Sequence, residues 1–221
     1  MGNSDTSRKG VRSLFLLAAA SAGLFVFMAT AGLVMSGSTL DLDQRVLLAL
    51  RAADDLRQPV GPDWLLPAAR EVTALGGTPL LTLLTLSLVG FFAVKGQGRT
   101  ILILLAAVIG ETILSGLLKD LFDRPRPSIV PHLVKASSNS FPSGHATSAA
   151  AIYLTLAVLI ARDINERIVR NYVFFVAVTL ALLVGASRVY LGVHYPTDVI
   201  GGLGFGAAWA AIVLIAARKL Q

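Results

Sequence analysis

The sequence predicts an all-α integral membrane protein, a bundle of six transmembrane helices, from its composition and its apolar segments. Hydrophobic residues make up 55% of the 221 residues and charged residues 14%, with a mean hydropathy of +0.72. Soluble domains usually carry about 25% charged residues. A helix needs about 20 apolar residues to cross a bilayer, and six segments approach that length. We therefore expect one integral membrane domain over residues 1–221.

The first predicted span follows a basic cluster and resembles a signal peptide at first sight. Its apolar run is longer than the roughly 7–15 residues of a signal-peptide core, so we expect a retained helix. The other five spans are bounded by charged or polar residues. The six predicted spans are Ser13–Met35, Pro79–Lys95, Thr100–Leu118, His145–Ala161, Asn171–Ser187 and Val199–Ala217.

The connection Gly37–Gly77 is polar but carries apolar residues at helical intervals, such as Val46, Leu47 and Leu50, and then Trp64. This spacing predicts one or two short amphipathic helices in the outer interface, where Trp is favoured. A solvated loop packed on the bundle is the alternative. In the last span, a run of small residues predicts close packing on its neighbours: Gly201, Gly202, Gly204, Gly206, Ala207 and Ala208.

The basic residues are explained by the membrane better than by nucleic acid. The formal charge is +6, but Lys and Arg lie between apolar runs, where topology or an anionic lipid headgroup accounts for them. The short connections Lys95–Arg99 and Arg162–Arg170 favour a cytoplasmic N-terminus, and an even number of spans then returns the C-terminus to the same side. The chain has no cysteine, which excludes disulfides and thiolate chemistry.

Three polar blocks stand out against this apolar background, and all three lie at one membrane side if six helices alternate. They are Lys119–Pro127 after the third span, Phe141–His145 before the fourth, and Ser187–Asp198 between the fifth and the sixth. These blocks bring Lys119, Arg126 and Arg188 to one membrane surface. Three cations at one site need an anion, and a guanidinium group matches phosphate oxygens.

The block Pro142-Ser143-Gly144-His145 strengthens the case for a phosphate site. Proline is favoured in the first turn of a helix, and the free amides there bind anions, with glycine permitting a close approach. The Ser143 hydroxyl can add a further hydrogen bond to the anion.

His194 and Asp198 have the spacing of an oriented nucleophile. They are four positions apart at the predicted start of the last helix, so the carboxylate can fix one imidazole nitrogen while the other attacks phosphorus. His145, arriving from another helix, would act as the general acid that protonates the leaving oxygen.

These three blocks resemble the signature of the type 2 phosphatidic acid phosphatase family. The spacings Lys119-x6-Arg126-Pro127, Pro142-Ser143-Gly144-His145 and Ser187-Arg188-x5-His194-x3-Asp198 fill every signature position. The resemblance implies a six-span helical bundle that needs no metal or other cofactor. It also implies a phosphate site at Lys119, Arg126, Ser143, Gly144 and Arg188, with His194 as nucleophile, His145 as acid and Asp198 as the partner of His194.

Several residues have simpler interpretations. Arg124 lies outside the signature and is equally well explained as an interfacial anchor. The two histidines with Asp198 are a weaker candidate for a metal site, because the surrounding cations disfavour one. His132 is expected to be a solvated loop residue. Glu111 lies inside the third span, where an ionisable group suggests function, although a buried hydrogen bond to a neighbouring helix is slightly favoured.

The expected function is hydrolysis of a lipid phosphate in the bacterial plasma membrane, with the site facing outward and a phospholipid or polyprenyl diphosphate as partner. Undecaprenyl diphosphate is the first substrate expected, ahead of phosphatidylglycerophosphate and phosphatidic acid. A lipid phosphotransferase would use the same site. An anion transporter is the non-enzymatic alternative, and it predicts charged residues in the middle of several spans. Of the predicted spans, only the third carries one, Glu111.

Overall fold

A computed structural model describes residues 2–219, with side chains from residue 14 to residue 217. The regular elements of this part of the chain are all helices, so the predicted all-α fold is confirmed. Five of them, α1, α5, α6, α7 and α8, are long and apolar enough to cross a membrane. The helices are α1 (Gly2–Ser36), α2 (Leu40–Ala49), α3 (Leu65–Ala74), α4 (Thr78–Val94), α5 (Gly98–Phe122), α6 (Gly144–Ala161), α7 (Arg167–Tyr190) and α8 (Pro196–Lys219).

The predicted second span differs from the other five. Helix α4 has 17 residues, fewer than the roughly 20 that cross a bilayer, and it reaches spanning length only together with α3, from which it is bent by 45°. The bend contains Gly76, where a Cβ atom would lie 2.5 Å from Val184 Cγ1 and 2.9 Å from the carbonyl oxygen of His145. Glycine therefore lets the bend pack directly against α6 and α7.

The Gly37–Gly77 connection contains two helices, α2 and α3, which confirms the prediction of amphipathic helices over that of a solvated loop. Each helix buries one pair of residues at i, i+4 spacing: Asp43 and Leu47 on α2, and Ala69 and Thr73 on α3. Residues at this spacing share a helix face. Both helices therefore turn one face toward the bundle, and each presents one polar side chain there.

Helix α8 forms the centre of the bundle and packs between α1 and α6. Its small residues make this possible. A Cβ atom at Gly204 would lie 2.9 Å from the carbonyl oxygen of Gly23 on α1, and one at Gly206 would overlap the carbonyl oxygen of Thr147 on α6. The close packing predicted for the last span is thus present, and it fixes α8 relative to α6.

Four helix ends meet at one side of the bundle: the ends of α5 and α7 and the starts of α6 and α8. Helix α5 ends at Phe122, and its C-cap Asp123 has a left-handed backbone with φ 43°, a conformation that Asp tolerates better than most residues. Helix α8 begins with Pro196, which fits the first helical turn. These ends carry the three polar blocks and place them together.

Candidate active site

A cavity of about 370 Å³ opens where the four helix ends meet. It is bounded by α5, α6, the end of α7, the bend between α3 and α4, and the loops that precede α6 and α8. Six of the eight predicted site residues line it: Lys119, Arg126, Gly144, His145, Arg188 and His194. The other two, Ser143 and Asp198, lie in the layer directly behind this wall and are fully buried.

His194 is 1% exposed and lies between a carboxylate and a guanidinium group. Its Nδ1 is 3.3 Å from Asp198 Oδ2, and its Nε2 is 3.1 Å from Arg126 Nη1. Burial lowers the pKa of His194 to about 3, so the imidazole is neutral at physiological pH. With Nδ1–H donated to Asp198, the lone pair of Nε2 lies on the cavity side, where it accepts a hydrogen bond from Arg126 Nη1.

Asp198 is 0% exposed and receives hydrogen bonds from several directions. The backbone amide of Tyr195 donates to Oδ2 at 2.9 Å, and the Ser140 hydroxyl donates to the same oxygen. Arg124 Nη1 donates to Oδ1 at 2.6 Å. A carboxylate with this many donors is held both in position and in its charged form.

Arg124 is not an interfacial anchor, the simpler of its two sequence interpretations. Its side chain is 10% exposed and bridges two buried carboxylates, because Nη2 also lies 2.9 Å from Asp43 Oδ2. The guanidinium carbon lies 4.2 Å from the centre of the Tyr195 ring. Thr197 ties the same group together, since its amide and hydroxyl donate to Asp43 at 3.1 and 2.6 Å.

Asp43 is the residue that sequence reasoning missed. It lies on α2, far from the three blocks along the chain, and nothing in its immediate sequence marks it as different from Asp41, an exposed neighbour. The one available signal is its position four residues before Leu47 on the apolar face of α2. An acidic residue on an apolar face needs a buried partner.

The side chains of Lys119, Arg126 and Arg188 donate hydrogen bonds to uncharged oxygen atoms. Lys119 Nζ donates to Asn139 O at 2.6 Å, Arg126 Nε donates to Ser138 O at 2.6 Å, and Arg188 Nη1 donates to Thr73 Oγ1 at 3.0 Å. Across residues 14–217, none of these three cations forms an ion pair with a carboxylate. Burial lowers the pKa of Arg126, so a bound anion would relieve an electrostatic cost.

The start of α6 adds donors to the same cavity. Ser143 is the N-cap, and its buried Oγ has no hydrogen-bond partner among the described residues. The amides of the first turn after Ser143 have no intrahelical acceptor, as at any helix N-terminus. Gly144 leaves the approach open, because a Cβ atom there would only touch Lys119 Cε at 3.6 Å. These groups can bind an anion.

Of the two remaining candidates from the sequence, Glu111 lines the cavity and His132 does not. His132 is exposed, with Nε2 2.7 Å from the carbonyl oxygen of Pro127, and does not line the cavity. Glu111 lines the cavity and accepts a hydrogen bond from Ser148 on α6, which is the kind of interhelical bond expected from the sequence.

Within the described residues, no three His, Cys, Asp or Glu side chains gather in an arrangement that could hold a metal ion.

Comparison with known proteins places this geometry in a family. The profile of the PAP2 superfamily matches residues 100–221. Phosphatidylglycerophosphatase B of Bacillus subtilis is 38% identical over 161 residues, which cover 71% of this chain and 75% of the relative. Undecaprenyl-diphosphatase BcrC of the same organism is 35% identical over 102 residues, covering 43% of this chain and 46% of the relative.

Two crystal structures share the fold. A transmembrane PAP2-type phosphatidylglycerolphosphate phosphatase from Bacillus subtilis superimposes with a TM-score of 0.80 at 29% identity, covering 91% of this chain and 97% of that one. Aquifex aeolicus LpxE gives a TM-score of 0.57 at 26% identity, covering 79% and 93%. The fold is therefore shared over 91% of this chain with the first structure and over 79% with the second.

Replacing Arg124 by Gln is expected to destabilise the protein strongly. The change leaves Asp43 and Asp198 buried without their shared cation, and breaking such a pair costs about 3–5 kcal/mol. The measurement is the midpoint of thermal unfolding in detergent. The matched control is Arg45→Gln, which removes an ion pair to Asp41 whose two side chains are each 75% exposed and which is worth about 0–1 kcal/mol. Equal midpoints for the two variants would contradict the structural role of Arg124.

Proposed function

Since this chain belongs to the PAP2 superfamily, we propose that it hydrolyses a lipid phosphate through a phosphohistidine at His194. The observation that carries the proposal is the environment of that imidazole. It is neutral, its Nδ1 is engaged by Asp198, and its Nε2 lies beside Arg126 at the wall of a cavity with two further cations, Lys119 and Arg188.

The first step transfers the phosphoryl group to the enzyme. The lipid phosphate binds to Lys119, Arg126 and Arg188, with the Ser143 hydroxyl and the first amides of α6 as further donors. Nε2 of His194 attacks phosphorus, and the bond between phosphorus and the lipid oxygen breaks. His145 gives its proton to that oxygen, so the lipid leaves as a neutral alcohol or as the shorter phosphate.

The second step returns the enzyme to its starting state. Water enters the vacated part of the cavity, and His145, now neutral, takes a proton from it. The resulting hydroxide attacks phosphorus, the bond to Nε2 breaks, and inorganic phosphate is released. Asp198 stabilises the positive charge that His194 carries as the phosphohistidine, and Arg124 with Asp43 keeps that carboxylate fixed throughout.

Phosphatidylglycerophosphate is the first substrate to consider. The relative named for that activity matches 71% of this chain, and a solved structure named for it superimposes over 91%. Undecaprenyl diphosphate, the lipid expected from sequence, is the second candidate, supported by the 35% identity to undecaprenyl-diphosphatase over 43% of the chain. Both lipids present a terminal phosphate to the site and an apolar tail to the bilayer.

The proposal includes an orientation, with the site on the outer side of the plasma membrane and both termini in the cytoplasm. It is supported by the basic connections Lys95–Arg99 and Arg162–Arg170, which lie at the opposite end of the bundle from the site. An outward site would receive lipids of the outer leaflet directly from the bilayer.

Cysteine labelling tests this orientation cleanly, because the chain has no cysteine of its own. Asp54 and Gln97 are both exposed and lie in connections at opposite ends of the bundle. We expect a membrane-impermeant maleimide to label Asp54→Cys in intact cells, or in spheroplasts if an outer membrane is present, and Gln97→Cys only after lysis. The reverse pattern would place the site in the cytoplasm.

Phosphate release from purified protein tests the function. With chelator present, the unmodified protein is expected to release phosphate from phosphatidylglycerophosphate, undecaprenyl diphosphate or phosphatidic acid, and their kcat/KM values rank the substrates. His194→Ala is expected to lose at least about 10³-fold in kcat, because the nucleophile is gone. The matched control is His132→Ala, which removes an exposed histidine outside the cavity and should leave kcat unchanged. Release that persists in His194→Ala, or no release from any lipid, would overturn the proposal.

A further inference from the structure

The cavity continues below the phosphate site along a polar strip on α5 and α6. On α5, Lys119, Ser115 and Glu111 follow one another at i, i+4 spacing and line the same wall. Glu111 lies about 12 Å from Lys119 along the helix axis, toward the middle of the membrane. On α6, Ser148 lines the opposite wall, three residues after His145.

Glu111 is a buried carboxyl group whose hydrogen-bonding capacity is only partly used. It is 1% exposed, and the Ser148 hydroxyl contacts both of its oxygens at 3.1 Å. The Thr112 hydroxyl is 3.5 Å away and already donates to Val108 O at 2.8 Å. A carboxylate has about four acceptor positions. Across the described residues, no cation forms an ion pair with Glu111.

The cations that line the cavity and its deep carboxyl group, Glu111, lie at different depths. Its four cations all lie at the outer end, at the ends of α5 and α7 or in the loop between α5 and α6: Lys119, Arg126, Lys135 and Arg188. Among the described residues, the deeper part is lined by hydroxyl groups, by Gly76 and Gly116, and by Glu111. A second phosphate placed there would meet a carboxyl group and no cation, whereas an uncharged hydroxyl group would find an acceptor.

We propose that Glu111 and Ser148 form a hydroxyl-binding subsite for the lipid headgroup, which rests on the function proposed above. Ser148 lies about 4.5 Å below His145 along α6, the depth at which the atoms next to the phosphorylated carbon would lie. A hydroxyl on the neighbouring carbon donates to one Glu111 oxygen, while the Ser148 hydroxyl keeps its bond to the other. The subsite favours a phosphorylated glycerol headgroup over a polyprenyl diphosphate.

The competing explanation for the same contacts is structural. Glu111 and Ser148 join α5 to α6, and a buried hydrogen bond between helices would be useful without any substrate. The two explanations differ in one respect. A subsite affects only substrates that carry the hydroxyl, whereas a structural bond affects all substrates alike.

A pair of substrates separates them. The probes are phosphatidylglycerophosphate and its analogue in which the central hydroxyl of the terminal glycerol is replaced by hydrogen. The unmodified protein is expected to show a kcat/KM about 10- to 100-fold higher for the hydroxylated lipid, the range for leaving a buried polar group without its hydrogen-bond partner. Equal kcat/KM values would overturn the subsite without touching the proposed function, and this comparison needs no variant.

Variants then assign the preference to the named residues. In Glu111→Leu, and to a smaller degree in Ser148→Ala, the ratio of the two kcat/KM values is expected to fall toward one. Thr155→Val is the matched control, because this buried α6 hydroxyl donates to Ala151 O and does not line the cavity, so the ratio should stay as in the unmodified protein. A ratio that persists in both cavity variants would overturn the assignment. If the protein hydrolysed neither of these two lipids, nor undecaprenyl diphosphate, nor phosphatidic acid, that result would instead refute the proposed function.

Discussion

The site depends on one buried negative charge, that of Asp198. A carboxylate that is fully enclosed among helices is stable only when charge and hydrogen bonds compensate it. Arg124 supplies the charge, and Asp43 in turn balances Arg124, which ties α2 to the start of α8. The connection between the first two spans therefore helps to hold the candidate site in place. Its second helix contributes as well, because Thr73 of α3 accepts a hydrogen bond from Arg188.

On the cavity side, by contrast, the cations have no carboxylate partner within the described part of the chain. There Lys119, Arg126 and Arg188 are placed on carbonyl and hydroxyl oxygens and leave their charge uncompensated. A neutral imidazole, three cations and a helix N-terminus with an unpaired Ser143 hydroxyl form a site that is complementary to a phosphoryl group in transfer. The carboxylates are either behind His194, where Asp198 orients it, or deeper in the membrane, where Glu111 lies. The separation keeps like charges away from the phosphate and gives each carboxylate a different partner.

The sequence predicted what depends on local pattern. Hydropathy indicated the helices that are long and apolar enough to cross a membrane, and motif spacing selected eight candidate site residues, six of which line one cavity. The Arg124–Asp43 contact was beyond reach, because the two residues are 81 positions apart and only the packing of α2 brings them together. The bend between α3 and α4 was missed for a similar reason. Gly76 is needed there because α6 and α7 pack against it, and no residue near it in the sequence indicates that contact. Glu111 was recognised as unusual, but its contact with the cavity required the fold.

The most direct measurement of the central claim is detection of the covalent intermediate. The protein is mixed with lipid labelled at the terminal phosphate, quenched within one turnover in alkaline denaturant, and digested. We predict label on the peptide that contains His194, stable to alkali and released by acid, which forms and decays at least as fast as kcat. Turnover without any labelled peptide, or label on a different residue, would contradict the assignment of His194 as the nucleophile.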